Sequence, residues 1–488
     1  MELNFTGTDV CAVSTGTRSA VEVRYDVVVV GAGPSGIAAA IEAKGAGASV
    51  LLIDENPVSG ALMGNDVPLY FGGRMTAATQ HSERMLETVF MSMPALEEAI
   101  DAGVELLLGT AAWGVYRNGP GMQSLPEQVV GLADAERSWL VGFGRIVLAT
   151  GARDLALAFP GWNQPGVMGA GALQMLLTRY DAFAGHRVLI LGSHDLALET
   201  ALMATGNGLQ VAGLVEVRAA PQGSADLVAK LAAAGIAIHC GAAISSASGG
   251  IDGIEAAVLT TGETIACDTI CVAVGLIPSI ELVDAMHGPR ELDGNRGGYV
   301  PRGEELVSAV GLCAGLADSG FDHIAYRMDW VRALAEVSAP DTVICQCEEV
   351  TRADLIGVQP PNYLTRPPAM CARSLETLLD DGPAHPDQIK RLTRAGMGVC
   401  QGRRCRDQVA MLLAIESDQP FGTIPLASHR APVRPLPMKI LADWNEPAEM
   451  EAAWDVWFGI PTQWVPVEDI GTRHEDEHRA MLYTGMYE

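Results

Sequence analysis

Four cysteines toward the C-terminal end carry the sharpest chemical signal in the chain. Cys345 and Cys347 form a CxC pair, and Cys400 and Cys405 form a CxxxxC pair that begins 53 residues after Cys347. Thiolates at this spacing suit ligation of iron or zinc, and the bordering glycines and polar residues leave room for backbone N–H groups to point at sulfur. Three chemistries are open. A [2Fe–2S] cluster takes four cysteines. Structural zinc does too, but its usual pairs are CxxC. A Cys400–Cys405 redox disulfide is the third, although reductases with two dinucleotide folds carry such a pair near the first fold, far upstream of this one. Softness and spacing favour the cluster. Lys390, Arg391 and Arg394, on a helix expected over 387–396, would offset the charge of four thiolates.

The second signal is a glycine turn. Gly31-Ala32-Gly33-Pro34-Ser35-Gly36 follows a β-branched strand, Val27–Val30, and opens an alanine-rich helix over Ile37 to about Lys44. A further apolar run, Val50–Ile53, ends in Asp54-Glu55. Gly31 allows the tight turn, Gly33 lets bare backbone approach a pyrophosphate, and Gly36 lets helix and strand pack closely. The free N–H groups at the helix start favour the phosphate. Asp54, 23 residues after Gly31, is placed to accept from ribose hydroxyls. With strand, helix and terminal acid in register, this reads as an adenine-dinucleotide site rather than a chance glycine turn. Arg145–Ala152 is a buried strand ending in Ala-Thr-Gly, so Thr150 and Gly151 bring backbone back against the same ligand.

These signals need a doubled scaffold to position them. Arg187–Arg218 repeats the strand–turn–helix–strand design, with Gly192-Ser193-His194-Asp195 as its turn and Glu216 as its terminal acid. His194 stands where the motif wants its middle glycine, so this second site reads as vestigial and NAD(P) is not expected to bind. Ile270–Pro278 closes the second unit, and Leu312–Gly320 reads as the strand returning to the first. A helix is expected over Ser82–Leu107, ending near 102, followed by a small antiparallel insertion to about Val141.

Composition narrows the class. A chain of 488 residues at 49% hydrophobic has ample material for several buried cores, and a net charge of −27 argues against nucleic acid as a partner. No apolar run is long enough to cross a membrane, and Met1–Val10 lacks a signal-peptide pattern. A cytoplasmic location is therefore expected, and ten cysteines there make no disulfide framework. Cys11, Cys240, Cys267, Cys271, Cys313 and Cys371 are expected to be small buried apolar residues. His474-Glu475-Asp476-Glu477-His478 matches HExxH, but its acidic interior and terminal place read as a solvated tail rather than a zinc helix. Trp444, Trp454, Trp457 and Trp464 suit a docking extension. No acid/base pair or nucleophile constellation stands out for substrate chemistry.

Taken with the GAGPSG turn, the Ala-Thr-Gly strand and the second dinucleotide unit, the segment CQCEEVTRADL…IKRLTRAGMGVCQGRRC resembles a known family. This is the flavin- and iron–sulfur-carrying α subunit of heteromeric amine and amino-acid dehydrogenases, a group that includes the A subunit of opine oxidase, the FAD subunit of hydrogen cyanide synthase and dye-linked proline or hydroxyproline dehydrogenases. The likeness spans about Tyr25 to Pro437, and its cysteine segment is similar to a bacterioferritin-associated-ferredoxin (BFD) domain. It implies an α/β, glutathione-reductase-like flavoprotein with two Rossmann-like domains and a small helical BFD-like [2Fe–2S] domain. FAD would be held by Gly31, Gly33, Pro34, Ser35, Gly36, Asp54, Glu55, Thr150, Gly151 and Asp318, and the cluster by Cys345, Cys347, Cys400 and Cys405.

The implied layout is an arm over 1–24, a split FAD domain over 25–155 and 279–335, and a vestigial NAD(P)-like domain over 156–278. The cluster domain would cover 340–425, and a docking extension 426–488. The implied partners are a D-amino-acid-oxidase-like flavoprotein subunit, which oxidises a C–N bond, and a small ferredoxin-like [2Fe–2S] subunit. FMN would lie at a subunit interface, and the complex could associate peripherally with the inner face of the cell membrane. Two departures stand out. Ser59-Gly60-Ala61-Leu62 replaces the usual Pro-Gly-Gly-Gln, and Leu316 sits at the usual Asp position of the returning segment, with Asp318 as the candidate substitute. A stand-alone NAD(P)H-dependent reductase and a scaffold that has lost a cofactor are the competing functions.

Overall fold

A computed structural model of the chain describes residues 21–57, 72–77, 81–117, 125, 127–360, 368, 371–442 and 471–477. Its first sheet is built on Val23–Val30, whose Val27–Val30 are buried. β-branched side chains suit a strand covered on both faces. It pairs in parallel with Val50–Asp54 (Val27 beside Val50) and with Ser138–Leu148 (Val28 beside Ile146). Glu105–Leu108 extends one side in parallel, and Val129–Ala133 and Ala111–Tyr116 add an antiparallel flank on the other. The helix Pro34–Gly45 starts at the glycine turn, with Pro34 at the first position, where a missing N–H costs nothing. It buries Ile37, Ala40 and Ala43 on the sheet.

Two expectations are corrected here. The long helix over 82–107 is two helices, Ser82–Met91 and Ala95–Asp101, broken at Pro94, which has no N–H to continue the ladder. The returning strand is Val307–Ala309, paired in parallel with Ile146–Leu148, and not Leu312–Gly320, which begins inside a 3-10 turn over Gly311–Ala314.

The second unit is a five-stranded sheet among the described residues, ordered Ile238–Cys240, Gln210–Glu216, Arg187–Leu191, Thr269–Val272, Val167–Gly169. A two-stranded antiparallel crossover, Ala152–Asp154 with Leu276–Pro278, joins it to the first unit. The helix His323–Val337 leads from the first unit to the cysteine segment, where Val343–Cys345 pairs with Val350–Thr351 and the helix Arg406–Glu416 starts directly after Cys405. Residues 406–414 of that helix are all buried. The helix expected over 387–396 is Pro386–Thr393, ended by Arg394 in the left-handed region at φ 66°. Residues 1–20, the loop at 59–62 and the four C-terminal tryptophans lie outside the described residues.

Candidate functional site

Nine of the ten expected dinucleotide residues line one cavity of about 430 Å³: Gly31, Gly33, Pro34, Ser35, Gly36, Asp54, Glu55, Thr150 and Gly151. The two outer glycines are demanded by packing. A Cβ on Gly31, at φ +108°, would lie 2.2 Å from the Ala149 carbonyl oxygen, and one on Gly36 would lie 1.8 Å from that of Gly31. The middle glycine is different, because a Cβ on Gly33 would meet no protein atom within 4 Å. Bare backbone facing a cavity, with no packing reason for it, is a cradle for a ligand. The residues present therefore fit an adenine dinucleotide.

Asp54 has a second task. One of its oxygens accepts from the Ala32 N–H at 2.6 Å and the other from the backbone and side-chain N–H groups of Asn56 at 2.8 and 2.7 Å. The acid thus also locks the glycine turn to the end of its neighbouring strand. Glu55 is paired with Arg434 at 2.5 Å, and the Thr150 hydroxyl donates to the Ser279 carbonyl at 2.7 Å. Asp318 does not join the cavity. It is exposed and accepts from the Gly320 N–H at 2.9 Å, while Leu316 packs against Gly297. Gly311 and Leu312 face the cavity from this returning segment instead. Gly311 was the available signal: at φ +62°, a Cβ there would strike the Ser35 hydroxyl.

The second glycine turn is filled by the chain itself. Gly192 adopts φ +113°, close to Gly31, so the turn is intact. The Ser193 N–H, however, donates to the Tyr326 hydroxyl at 3.0 Å, and Glu216, fully buried, accepts from Ser193 at 2.5 Å and from Tyr326 at 2.6 Å. His194 places its Nε2 3.1 Å from the Val274 carbonyl and stacks on Phe321 with ring centroids 5.6 Å apart. Burial, with Arg327 nearby, pushes His194 down to about 4, so the ring is neutral. What sets this turn apart from the first is that the His194 ring, stacked on Phe321, occupies the place that Gly33 leaves bare.

The four cysteines come together in two pairs, Cys345 with Cys405 and Cys347 with Cys400. The thiol of Cys405 and the Gly396 N–H, 3.4 Å from the Cys345 sulfur, hold Cys345 below the usual thiol range. Cys405 sits at the N-cap position of Arg406–Glu416 without a side-chain cap bond, and its bond to Cys345 together with burial holds its thiol well above the usual range. Glycines make the approach possible: a Cβ on Gly398 would lie 2.4 Å from that of Cys347. Among the described residues no group of three or more His, Cys, Asp or Glu side chains is placed to hold a metal ion. Cys400 and Cys405 are partnered with the CxC segment rather than with each other. Of the remaining cysteines, Cys267, Cys271 and Cys313 are buried as expected, but Cys240 and Cys371 are only partly buried, because both lie in outer segments, while Cys11 lies outside the described residues. His474 pairs with Glu477 at 3.0 Å on an exposed helical segment, and His478 is outside the described residues.

Sequence reasoning missed the arginines that join the two sites. Arg403 and Arg404, between Cys400 and Cys405, line the same cavity as the first glycine turn. Arg403 donates to the Val433 carbonyl at 2.6 Å, and Arg404 lies over the Trp162 ring at 5.7 Å. Arg153, two residues after Gly151, binds Glu281 at 2.6 Å and Asp407 at 2.5 Å, and its Nε donates to the Arg403 carbonyl at 2.9 Å. Burial acts to raise Glu281, but Arg153 first, with His429, Arg406 and Arg434 nearby, holds it down at about 2. Beside this cluster, Arg406 and Arg290 hold the buried Asp284. Apart from Cys405, the strip 403–407 is charged at every position, with no periodicity to mark it as buried.

Comparison with known proteins places these features. The chain is 25% identical to the A subunit of opine oxidase from Agrobacterium tumefaciens over 86% of this chain and 91% of that one. It is 27% identical to the HcnB subunit of hydrogen cyanide synthase from Pseudomonas aeruginosa, over 78% and 90%. It is 28% identical to the alpha subunit of sarcosine oxidase from Rhizobium meliloti over 78% of this chain, but spans only 38% of that longer protein. In fold it is similar to L-proline dehydrogenase from P. horikoshii, with a TM-score of 0.55 and 20% identity over 87% and 81% of the two chains. The opine oxidase and hydrogen cyanide synthase subunits are relatives of the kind the motifs resemble, and the last match shows the same fold. The model of the pyridine nucleotide-disulphide oxidoreductases, a flavin-dependent group that binds FAD, matches residues 25–306. With more than half of its length in that match, this chain belongs to the pyridine nucleotide-disulphide oxidoreductase family.

Proposed function

We propose that this chain is the electron-relay subunit of a heteromeric dehydrogenase. A partner subunit of the D-amino-acid-oxidase type oxidises a C–N bond of an amino acid, opine or related secondary amine. Electrons then pass through FAD in the glycine-turn cavity to a [2Fe–2S] cluster on Cys345, Cys347, Cys400 and Cys405, and on to a carrier. One observation carries this reading: Arg403 and Arg404, which lie between two of the cysteines, form part of the wall of the cavity that Gly31, Gly33 and Gly151 also line. The two centres share a boundary. The donor set adds support, since four thiols in two pairs suit two irons better than one zinc.

The chain's own residues would bind and insulate rather than transform substrate. The glycine turn and the helix start at Pro34 would hold the pyrophosphate, and Asp54 and Glu55 would border the ribose. The cysteine loop would be held rigid by Arg153, Arg403 and Arg406. FAD, when bound, supplies two-electron chemistry. We place the complex in the cytoplasm, at the inner membrane face, with an interfacial FMN and a small ferredoxin-like subunit; no helix among the described residues is long and apolar enough to cross a membrane. The filled second turn argues against a stand-alone NAD(P)H reductase.

The test is an anaerobic absorbance spectrum of the purified chain, with flavin, iron and acid-labile sulfide assayed on the same sample. One FAD with two irons and two sulfides, and no bleaching by NADH, is the expected result. Flavin bleached by NADH without iron would overturn it. A colourless protein would leave a scaffold.

A further inference from the structure

Two carboxylates of the flavin cavity, Asp154 and Glu281, were used by no expectation, and of these Glu281 is paired with Arg153 at 2.6 Å. Asp154 ends the crossover strand Ala152–Asp154 and lines the cavity three residues after Gly151. Its oxygens accept from the Gly171 N–H at 2.8 Å and the Ala172 N–H at 3.1 Å, in the first turn of the helix Ala170–Thr178. Two glycines make room for it. A Cβ on Gly169 would lie 2.0 Å from the Asp154 carboxyl carbon, and one on Gly171 would lie 3.2 Å from its oxygen. The carboxylate is therefore built into the wall and fixed in position rather than left to rotate.

Its surroundings leave the charge poorly compensated. Burial pushes it up to about 6, and the helix N–H groups and Arg404 bring only part of that back down. Of the other ionisable groups near it, Cys271 is a neutral buried thiol, and Arg153 is committed to Glu281 and Asp407. The flanking segments Val167–Thr178 and Leu276–Pro278 carry no charged side chain. Negative charge added to the same cavity raises a neighbouring carboxyl further, because like charges in a poorly solvated space disfavour ionisation.

We infer that Asp154 is a proton-accepting carboxylate of the flavin cavity, taking one proton from solvent each time a bound flavin is reduced by two electrons and releasing it on reoxidation. Bound FAD would supply the two-electron chemistry, with one proton per two electrons going to the flavin itself. Asp154 takes a second proton, forming its O–H bond. Both protons leave when the electrons pass on to a one-electron acceptor such as an iron–sulfur cluster. Two electrons thus move with two protons, and the cavity gains no net charge. The inference rests on the FAD reading of the cavity.

The experiment compares the full-length, flavin-loaded wild type with Asp154→Asn and Asp154→Glu. Flavin midpoint potentials are followed by visible absorbance at pH values on both sides of about 6, with redox-difference infrared spectra on the same samples. Above that pH the wild-type potential is expected to fall with pH about twice as steeply as that of D154N, because two protons rather than one accompany two electrons. A protonated-carboxyl C=O band should grow on reduction of the wild type, shift in D154E and be absent in D154N. Equal slopes and an unchanged carboxyl region in flavin-loaded D154N would overturn the proposal alone. A chain that binds no flavin would overturn the FAD reading and the proposal with it. Should D154N fail to fold, isotope-labelled aspartate in the wild type decides the matter, since a growing band that does not shift with the label is not an aspartate.

Discussion

Arg153 and Asp407 meet at 2.5 Å across the seam between the strand that leaves the flavin cavity and the helix that leaves the cysteine loop. The same guanidinium reaches Glu281 and the Arg403 carbonyl, so one side chain fixes three segments. All three charged partners are about nine-tenths buried in their side chains. Such a site gains specificity of position more than stability, because desolvation consumes much of the Coulombic attraction.

Removing only the cation is therefore costly. Arg153→Ala leaves Glu281 and Asp407 buried and uncompensated, and is expected to destabilise the protein by about 3–5 kcal/mol. Arg434→Ala, which breaks the more exposed pair with Glu55, should cost less than about 1 kcal/mol. Urea unfolding of the two variants measures the contrast; equal losses would show that the Arg153 cluster is not the seam's anchor.

The glycine turn separates packing from binding. Gly36→Ala forces a Cβ onto the Gly31 carbonyl and is expected to lose about 1–3 kcal/mol or more, with soluble yield falling. Gly33→Ala meets no protein atom, so its unfolding midpoint should stay near wild type while its flavin content drops at least tenfold. Flavin-to-protein ratios beside thermal melts read this out. A Gly33→Ala protein with full flavin would remove the cradle argument.

Tyr326 ties the second turn shut. Tyr326→Phe leaves the Ser193 N–H without its acceptor and takes one donor from Glu216, a loss of about 1–3 kcal/mol. NADH should still fail to bleach the flavin, since His194 and Phe321 remain in place. Bleaching by NADH in this variant would mean that the phenol alone closes a competent nucleotide site.

How much was legible in the sequence follows from how local each feature is. The first glycine turn, its helix and its terminal acid lie within 31 residues, and each was placed correctly, as was the antiparallel insertion. The cysteine pairs could be named because CxC and CxxxxC are contiguous, though which sulfur meets which could not. Tyr326 lies 133 residues from Ser193, and Arg153 lies 254 from Asp407, so neither bond leaves a pattern in the chain. Asp318 was chosen for its residue type in the segment after Leu316, but the chain turns at Gly311 and presents Gly311 and Leu312 instead. Pro94 was the legible break in the long helix and was read through. Asp154 carried no motif; only the glycines at 169 and 171, far along the chain, reveal that space is kept for it.

Acid should weaken the fold in two stages with different causes. His194 and His323 are each held down to about 4, mainly by burial, while their unfolded value is near 6.5. The unfolded chain then binds more protons than the folded one as pH falls from about 6.5 to 4, so stability declines over that window. Glu281 acts lower. Its folded value of about 2 lies below the unfolded 4.5, so its contribution is whole above about 4.5 and is lost as pH falls toward 2. Asp154 has the opposite sign. With a folded value of about 6 against 3.8 unfolded, it disfavours the fold above about 6, and protonation relieves that between about 6 and 4. Two histidines outweigh one aspartate in the upper window, so net stability should still fall there. Unfolding free energies measured from pH 7 down to 3 check this. In His323→Phe, which keeps a ring against Phe321 and His194, the upper-stage loss should shrink. An unchanged upper stage in that variant would assign the loss elsewhere.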